Sequence, residues 1–505
     1  MENRDVDAIR GYHDATKHSV ASVYHTRHTL DWETMPRPFK VYTDLPAIPL
    51  PRDFASSTRP ALAAIADPGT ASGSGPSLDR AALARLLYFS AGIVRRRTYS
   101  GGEIYFRAAA CTGALYHIDL YLVCGALPDL EAGVYHFGPH DFALRQLRTG
   151  DFRAALVEAT GGDPAIAGTP AVLIATTTFW RNAWKYRARA YRHAFWDAGT
   201  LAANLLGVAA AHALPARVVV GFVDDRVNAL LDVDTVREVA LALVPLGAGA
   251  PMPAAAPPAP PLAYVTLPPS SREVDYPEIG RAHAASSLAS DVEVAAWRGT
   301  LPAPSFRDAP GPVVPLAPDV AVAEPIETVI LRRGSTRTFG REPVSFAALS
   351  TILRSATRGV PIDVATHPDV YLLVHAVDGL TPGTYHFDRR ADGLVLLREG
   401  SFRREAGHLG LGQDLPADAA FDVFWLVDLE PVLARYGNRG YRAAQLEAAI
   451  EAGKTYLTAF GVRIGATGLT FFDDDVTAFF SPHAAGKSVM FLMAFGRPRR
   501  ATLPS

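Results

Sequence analysis

The chain has 505 residues, 49% of them hydrophobic and 20% charged, which is enough for two or three domains with sizeable cores. A formal net charge of −2 excludes a global field that attracts nucleic acid or an anionic membrane, so any anion site has to be built locally. Two cysteines, Cys111 and Cys124, are too few for a disulfide framework or a zinc site.

Residues 1–57 are polar and proline-rich and carry His13, His18, His25 and His28, but without matching Cys or carboxylate spacing no metal site is expected. The N-terminus has no apolar signal core, and the apolar stretch near Thr200 to Leu214 is broken by Asn204 and His212, so a cytoplasmic protein is the expectation. Ser77 to Ile93 reads as a helix capped by Ser77, with Leu83, Leu86 and Leu87 on one face. A Gly-, Arg- and aromatic-rich segment follows from Arg95 to Tyr116. Its Arg95-Arg96-Arg97 run reads as a solvated basic loop or as a patch that steers an anion. Ile118–Val123, Gly133–Phe137 and Pro170–Thr176 read as strands and Tyr191–Leu214 as a long apolar helix. Val218–Phe222 reads as a strand leading to an acidic turn at Asp224-Asp225, and residues 248–262 as an extended Ala/Pro-rich linker.

Further on, Arg333-Gly334-Ser335-Thr336-Arg337-Thr338-Phe339 sets two guanidinium groups and a hydroxyl at alternate positions, on one side of an extended backbone. That arrangement suits a phosphate monoester. Pro343 to Ala356 then reads as a capped amphipathic helix.

The second half repeats the first. Gly133-Val134-Tyr135-His136-Phe137 matches Gly383-Thr384-Tyr385-His386-Phe387 at 383 − 133 = 250. Asp119 and Tyr121, Lys185-Tyr186, Tyr191-Arg192 and Asp224-Asp225 match Asp369 and Tyr371, Arg435-Tyr436, Tyr441-Arg442 and Asp474-Asp475 at the same offset. The expected fold is α+β: two tandem domains, each a mixed central sheet flanked by helices, packed as an internal pseudo-dimer within a monomer. The expected boundaries are 1–247, a linker at 248–275, and 276–505. The clamp at Arg333, Ser335 and Arg337 projects onto Asp67, Gly69 and Ala71, so the first half lacks it; the second half lacks the segment around Arg107 to Tyr116.

With these motifs the chain resembles the nitroreductase superfamily, and within it the SagB-type azoline dehydrogenases. Arg333, Ser335 and Arg337 stand for the family's FMN-phosphate motif. Ala110-Cys111-Thr112-Gly113-Ala114-Leu115-Tyr116-His117 stands for its Pro-Ser-Ala-Gly-Ala-Leu-Tyr-Pro loop, and Lys185-Tyr186 for its catalytic pair. The resemblance implies one FMN per chain. The second half would clamp the phosphate with help from Arg499. The first would supply Cys111, Thr112, Gly113, Ala114 and Leu115. Gly465, Thr467 and Gly468 would lie near the ring edge. Lys185 would act as base if a dry site lowered its pKa, with Tyr186 orienting the substrate and the hydride passing to flavin N5. The substrate would be an azoline-type peptide or a related small molecule, with biosynthetic-complex partners possible. Two alternatives stay open: an NAD(P)H-dependent nitroreductase-like enzyme, and a degenerate flavin-binding scaffold subunit.

Overall fold

The computed structural model describes residues 2–25, 28–67, 69, 75–99, 102–299 and 308–499. Helix α1 (Asp7–Ala15) opens the chain, strand β1 (Ile48–Pro49) follows, and then helix α2 (Arg80–Ala91). The cap of α2 is Asp79, which accepts from the Ala82 amide, rather than Ser77; the carboxylate sits directly before the first helical turn and takes the role the serine two residues earlier was expected to fill. Strands β2 (Ile93–Tyr99) and β3 (Gly102–Arg107) form a separate two-stranded ribbon. Then come β4 (Ile118–Cys124), β5 (Gly133–Gly138), β6 (Ala143–Thr149) and β7 (Ala171–Thr178), helices α3 (Phe179–Tyr186), α4 (Ala190–Ala211) and α5 (Asp224–Leu231), and strand β8 (Glu238–Leu246).

The second half supplies β9 (Val313–Pro315), helices α6 (Ile326–Arg332) and α7 (Phe346–Thr357), and strands β10 (Asp369–Val374), β11 (Gly383–Asp388), β12 (Gly393–Glu399) and β13 (Phe421–Val427). It ends with helices α8 (Leu429–Tyr436) and α9 (Asn438–Gly461), strand β14 (Gly465–Leu469), helix α10 (Asp473–Phe480) and strand β15 (Ser488–Gly496). Ser345 caps α7 by accepting from the Ala348 amide.

Two large sheets result, ordered β1-β6-β5-β4-β7-β8 and β14-β15-β13-β10-β11-β12-β9, and every ladder within them is antiparallel. Registers recur at the 250-residue offset: Tyr121 faces His136 and Tyr371 faces His386. The bulges recur too, at Val134/Tyr135 and Thr384/Tyr385 and at Ala175/Thr176 and Trp425/Leu426. The central strands β4, β7, β10 and β13 are buried along their whole length, so they read as continuous apolar runs rather than alternating ones. Residues 218–222 do not form the expected strand. Val218 and Val219 make only isolated bridges, to Ile362 and Leu243, where the second half has β14 paired along β15.

Helices α4 and α9 pack on each other. A β-carbon on Gly199 would collide with Ala449, and one on Gly453 would lie 2.6 Å from Ala203, so both glycines set the approach of the helices. Arginines at the start of each helix cross to the other half. Arg189 and Arg192 meet Asp473 at 2.9 and 2.7 Å, and Arg439 and Arg442 meet Asp224 at 2.8 and 2.6 Å. All six side chains are buried. Burial opposes ionisation of both carboxyls, yet the paired guanidiniums hold both below the ordinary carboxylate range. Asp224 is therefore the first residue of α5 and an ion-pair anchor, not part of an acidic turn. The helical run Phe179–Ala211 is apolar enough to cross a membrane by length and composition, but 89% of its apolar window is buried inside the protein.

Candidate functional site

Helix α6 ends at Arg332, and Arg333 leaves it in an extended conformation (φ −57°, ψ 136°). The next residues run beside two other segments. The Thr336 amide donates to the Ala466 carbonyl at 3.0 Å, the Arg499 amide donates to the Thr338 carbonyl at 3.0 Å, and Phe339 bridges Pro498. Gly465 is needed there, because its β-carbon would lie 2.5 Å from the Thr336 hydroxyl. Thr467 is buried and Gly468 exposed in the same strand. The structure thus brings Gly465 and the Arg499 backbone to the motif. The Arg499 side chain turns away to Asp418 at 3.5 Å.

Arg333 is buried, and its guanidinium donates to the carbonyls of Ala108 (3.1 Å) and Arg107 (3.3 Å) while lying 5.2 Å from the Tyr456 ring centroid. The Tyr456 hydroxyl donates to Ser335 Oγ at 2.7 Å. Arg337 is exposed. Neither Arg333 nor Arg337 has a carboxylate within ion-pair reach among the described residues. Two cations beside a hydroxyl with no counter-charge fit a bound phosphate. Tyr456, which contacts both Arg333 and Ser335, stands in α9 with no motif around it.

Residues Ala108 to Tyr116 lead from β3 into a tight turn. Gly113, Ala114 and Tyr116 have φ of 63°, 55° and 49°. Asp197 of α4 holds the turn: its carboxylate accepts from the Thr112 amide (2.9 Å), the Thr112 hydroxyl (2.8 Å), the Cys111 thiol (3.0 Å) and His117 Nε2 (2.8 Å). His117 Nδ1 in turn meets the Thr177 hydroxyl at 2.8 Å. Burial first, and then the Asp197 charge, push the Cys111 thiol well up, so it is a hydrogen-bond donor and not a thiolate. Leu115 is buried beneath the turn. Ligand-type atoms of Cys111, His117 and Asp197 lie within 4.8 Å of one another, and the hydrogen bonds among them account for that grouping. Asp197 was not singled out in the sequence. It is one carboxylate in an apolar helix, and nothing local marks its task.

Lys185 and Tyr186 end α3. Gly113 makes room for Tyr186: a β-carbon there would lie 2.8 Å from the Tyr186 hydroxyl. Burial raises the Tyr186 pKa, with Asp197 and Cys111 adding to it. Tyr186 also packs edge-on against His193, whose Nδ1 meets Asn182 Oδ1 at 2.8 Å. Lys185 Nζ lies 5.3 Å from the Tyr186 ring centroid, and the side chain is exposed. The dry environment expected around Lys185 is not formed by the chain itself.

At the positions onto which the clamp projects, Asp67 stands for the first arginine and pairs with Arg59 at 2.8 Å. Gly69 donates its amide to Asp67 at 2.7 Å, and Ala71 lies outside the described residues. A cavity of about 210 Å³ lies there, lined in part by Arg59, Asp67, Leu206 and Pro361. Glu447, 250 positions after Asp197, accepts from the Thr366 hydroxyl (2.7 Å) and the His367 amide (3.1 Å). The second half keeps the carboxylate anchor with a shortened turn.

The arrangement is that of a nitroreductase-like fold over nearly the whole chain. Residues 107–248 match the model of the nitroreductase family. The crystal structure of a nitroreductase-like protein from Anabaena variabilis superposes with a TM-score of 0.78 at 26% identity, covering 97% of this chain and 99% of that one. A nitroreductase-like protein of Methanocaldococcus jannaschii is 27% identical over 161 residues, which is 30% of this chain and 81% of that protein. The microcin B17-processing protein McbC of Escherichia coli is 32% identical over 128 residues, 24% of this chain, and the match spans about half (47%) of McbC.

Proposed function

We propose that the chain is an FMN-dependent dehydrogenase that oxidises an azoline-type heterocycle in a peptide or a related small molecule, with one flavin per chain at a site shared by two tandem domains, 1–247 and 276–505, joined by 248–275. The observation that carries this reading is the bond from Arg333 to the Ala108 carbonyl, which joins the phosphate motif of one half to the strand leading into the 110–116 turn of the other. Arg333, Ser335 and Arg337 hold the phosphate. Cys111, Thr112, Gly113, Ala114 and Leu115 would hold the flavin from the first half, and Gly465, Thr467 and Gly468 would lie near its ring edge. At the related position the chain has Asp67, paired with Arg59, in place of a motif guanidinium, which supports a single site.

A flavin held there would supply the hydride acceptor. Tyr186, held between Gly113 and His193, positions the substrate ring. Lys185 takes the carbon-bound proton once the substrate covers it and excludes water. The similarity to a microcin B17-processing protein supports a microcin-like peptide substrate. A second reading, NAD(P)H-dependent reduction of small aromatics, draws support from the exposure of Lys185.

Absorbance and denaturation of the purified protein test the cofactor: about one FMN per chain is expected. The double variant Arg333→Ala/Arg337→Ala is expected to lose it. Undiminished occupancy in that variant removes the assignment. Lys185→Ala is expected to abolish heterocycle oxidation with flavin content unchanged; nitroaromatic turnover with NAD(P)H that survives Lys185→Ala selects the second reading.

A further inference from the structure

The ribbon β2–β3 belongs to the first half but reaches the phosphate motif of the second. Its pairing is irregular at one end: Ile93 faces Arg107 and Arg95 faces Phe106, so Val94 is an extra residue. Such a bulge turns the following side chain out of the regular alternation. Arg95 is the side chain so turned. Its guanidinium lies 5.0 Å from the Phe106 ring centroid, and Nη2 lies 3.6 Å from the position a β-carbon on Gly334 would occupy. The Arg95 guanidinium thus lies beside the motif backbone between Arg333 and Ser335.

Three guanidiniums therefore approach one short stretch of chain. Arg333 bonds only to carbonyls, Arg337 is exposed, and Arg95 stacks on an aromatic ring. None of the three has a carboxylate partner among the described residues, although arginines nearby do: Arg332 meets Glu324 at 2.7 Å, and Arg341 meets Asp418 at 2.5 Å. Cations on one short stretch with no carboxylate partner leave room for an anion to join them. Arg96 next door differs. It donates to the His140 carbonyl at 3.2 Å and stacks on Tyr105.

We propose that Arg95 is a third phosphate-binding guanidinium, supplied by the first half across Gly334 to the motif of the second. The ligand class is a phosphate monoester, and the proposal rests on the flavin reading above. It makes the phosphate subsite itself, and not only the ring subsite, a joint product of both halves.

The experiment compares dissociation constants of FMN and of riboflavin, which lacks the phosphate, for the wild-type protein, Arg95→Gln, Arg95→Lys and Arg96→Gln, by quenching of flavin fluorescence at fixed ionic strength. Arg95→Gln is expected to weaken FMN about tenfold, the scale of one charge-assisted hydrogen bond, and to leave riboflavin unchanged. Arg95→Lys, which keeps the charge, is expected to fall between, and Arg96→Gln to bind FMN as the wild type does. Equal FMN affinity in wild type and Arg95→Gln overturns this proposal alone, as does an equal loss for FMN and riboflavin, which marks a structural role. A wild-type protein that binds neither flavin overturns the flavin reading and this proposal with it.

Discussion

Arg187 and Gly437, 250 positions apart, take nearly the same backbone conformation, φ 52°, ψ −142° and φ 63°, ψ −158°. Each follows its half's pair, Lys185-Tyr186 or Arg435-Tyr436, and ends its helix. Glycine takes this conformation freely. An arginine takes it only under strain, of order 1–3 kcal/mol. The strain therefore sits in the half whose pair is proposed to be catalytic. Arg187→Gly is expected to stabilise the protein by about 1 kcal/mol in chemical denaturation. If the strain also fixes the end of α3, the variant turns over more slowly while binding flavin normally. An unchanged or lowered stability refutes the strain argument.

Asp197 is the point at which the first half's turn depends on its long helix. Asp197→Ala leaves the Thr112 amide and hydroxyl, the Cys111 thiol and His117 Nε2 without their acceptor. A loss of about 2–4 kcal/mol is expected from unpaired buried donors. The variant also removes the second cause, after burial, of the raised Cys111 pKa. Alkylation of Cys111 by iodoacetamide at pH 8 is therefore expected to be slow in the wild type and faster in the variant. Equal rates would show that the carboxylate does not govern the thiol.

Much of this was legible in the sequence because the relevant constraint is local or periodic. The Arg-x-Ser-x-Arg spacing survives as an extended segment, and the 250-residue offset survives because strand register allows no single-residue slip without turning a buried face outward. What was missed depends on distant partners. Asp224 reads as a turn residue until Arg439 and Arg442, more than 200 residues later, enclose it. Asp197 and Tyr456 look like ordinary members of buried helices. Val218 to Phe222 has strand composition, but its neighbour on one side is the loop around Ile362, so only bridges form. Arg95 was legible as a basic residue, and its position beside Gly334 was not, because a one-residue bulge decides it.

The contact of α4 with α9 leaves no space at Gly199, where an added β-carbon meets Ala449 and the Leu446 carbonyl. Backbone atoms cannot move aside as the end of a flexible side chain can. Gly199→Ala is expected to cost about 1–3 kcal/mol by overpacking, despite the better helix propensity of alanine. The paired change Gly199→Ala with Ala449→Gly restores room and is expected to recover part of the loss. A melting temperature unchanged by Gly199→Ala alone contradicts the close approach of the helices.

The N-terminal segment is tied to the second half by the His18 amide, which donates to Asp473 at 2.8 Å. Burial, and then the Arg189 charge, lower the His18 pKa from 6.5 to about 3. Between those values the unfolded chain binds a proton that the folded chain does not, so stability is fully present above about pH 6.5 and declines as the pH falls towards 3. Asp422 and Glu447, raised by burial to about 6 and about 7, titrate with the opposite sign over part of this window. The useful quantity is thus the difference between wild type and His18→Gln. At pH 8 the two are expected to differ by a constant set by packing. From pH 6.5 to pH 5 the variant is expected to gain on the wild type, because it has no imidazole to protonate on unfolding. Thermal melts at three pH values read this directly, and a difference that stays flat with pH excludes a half-buried His18 kept neutral by the fold.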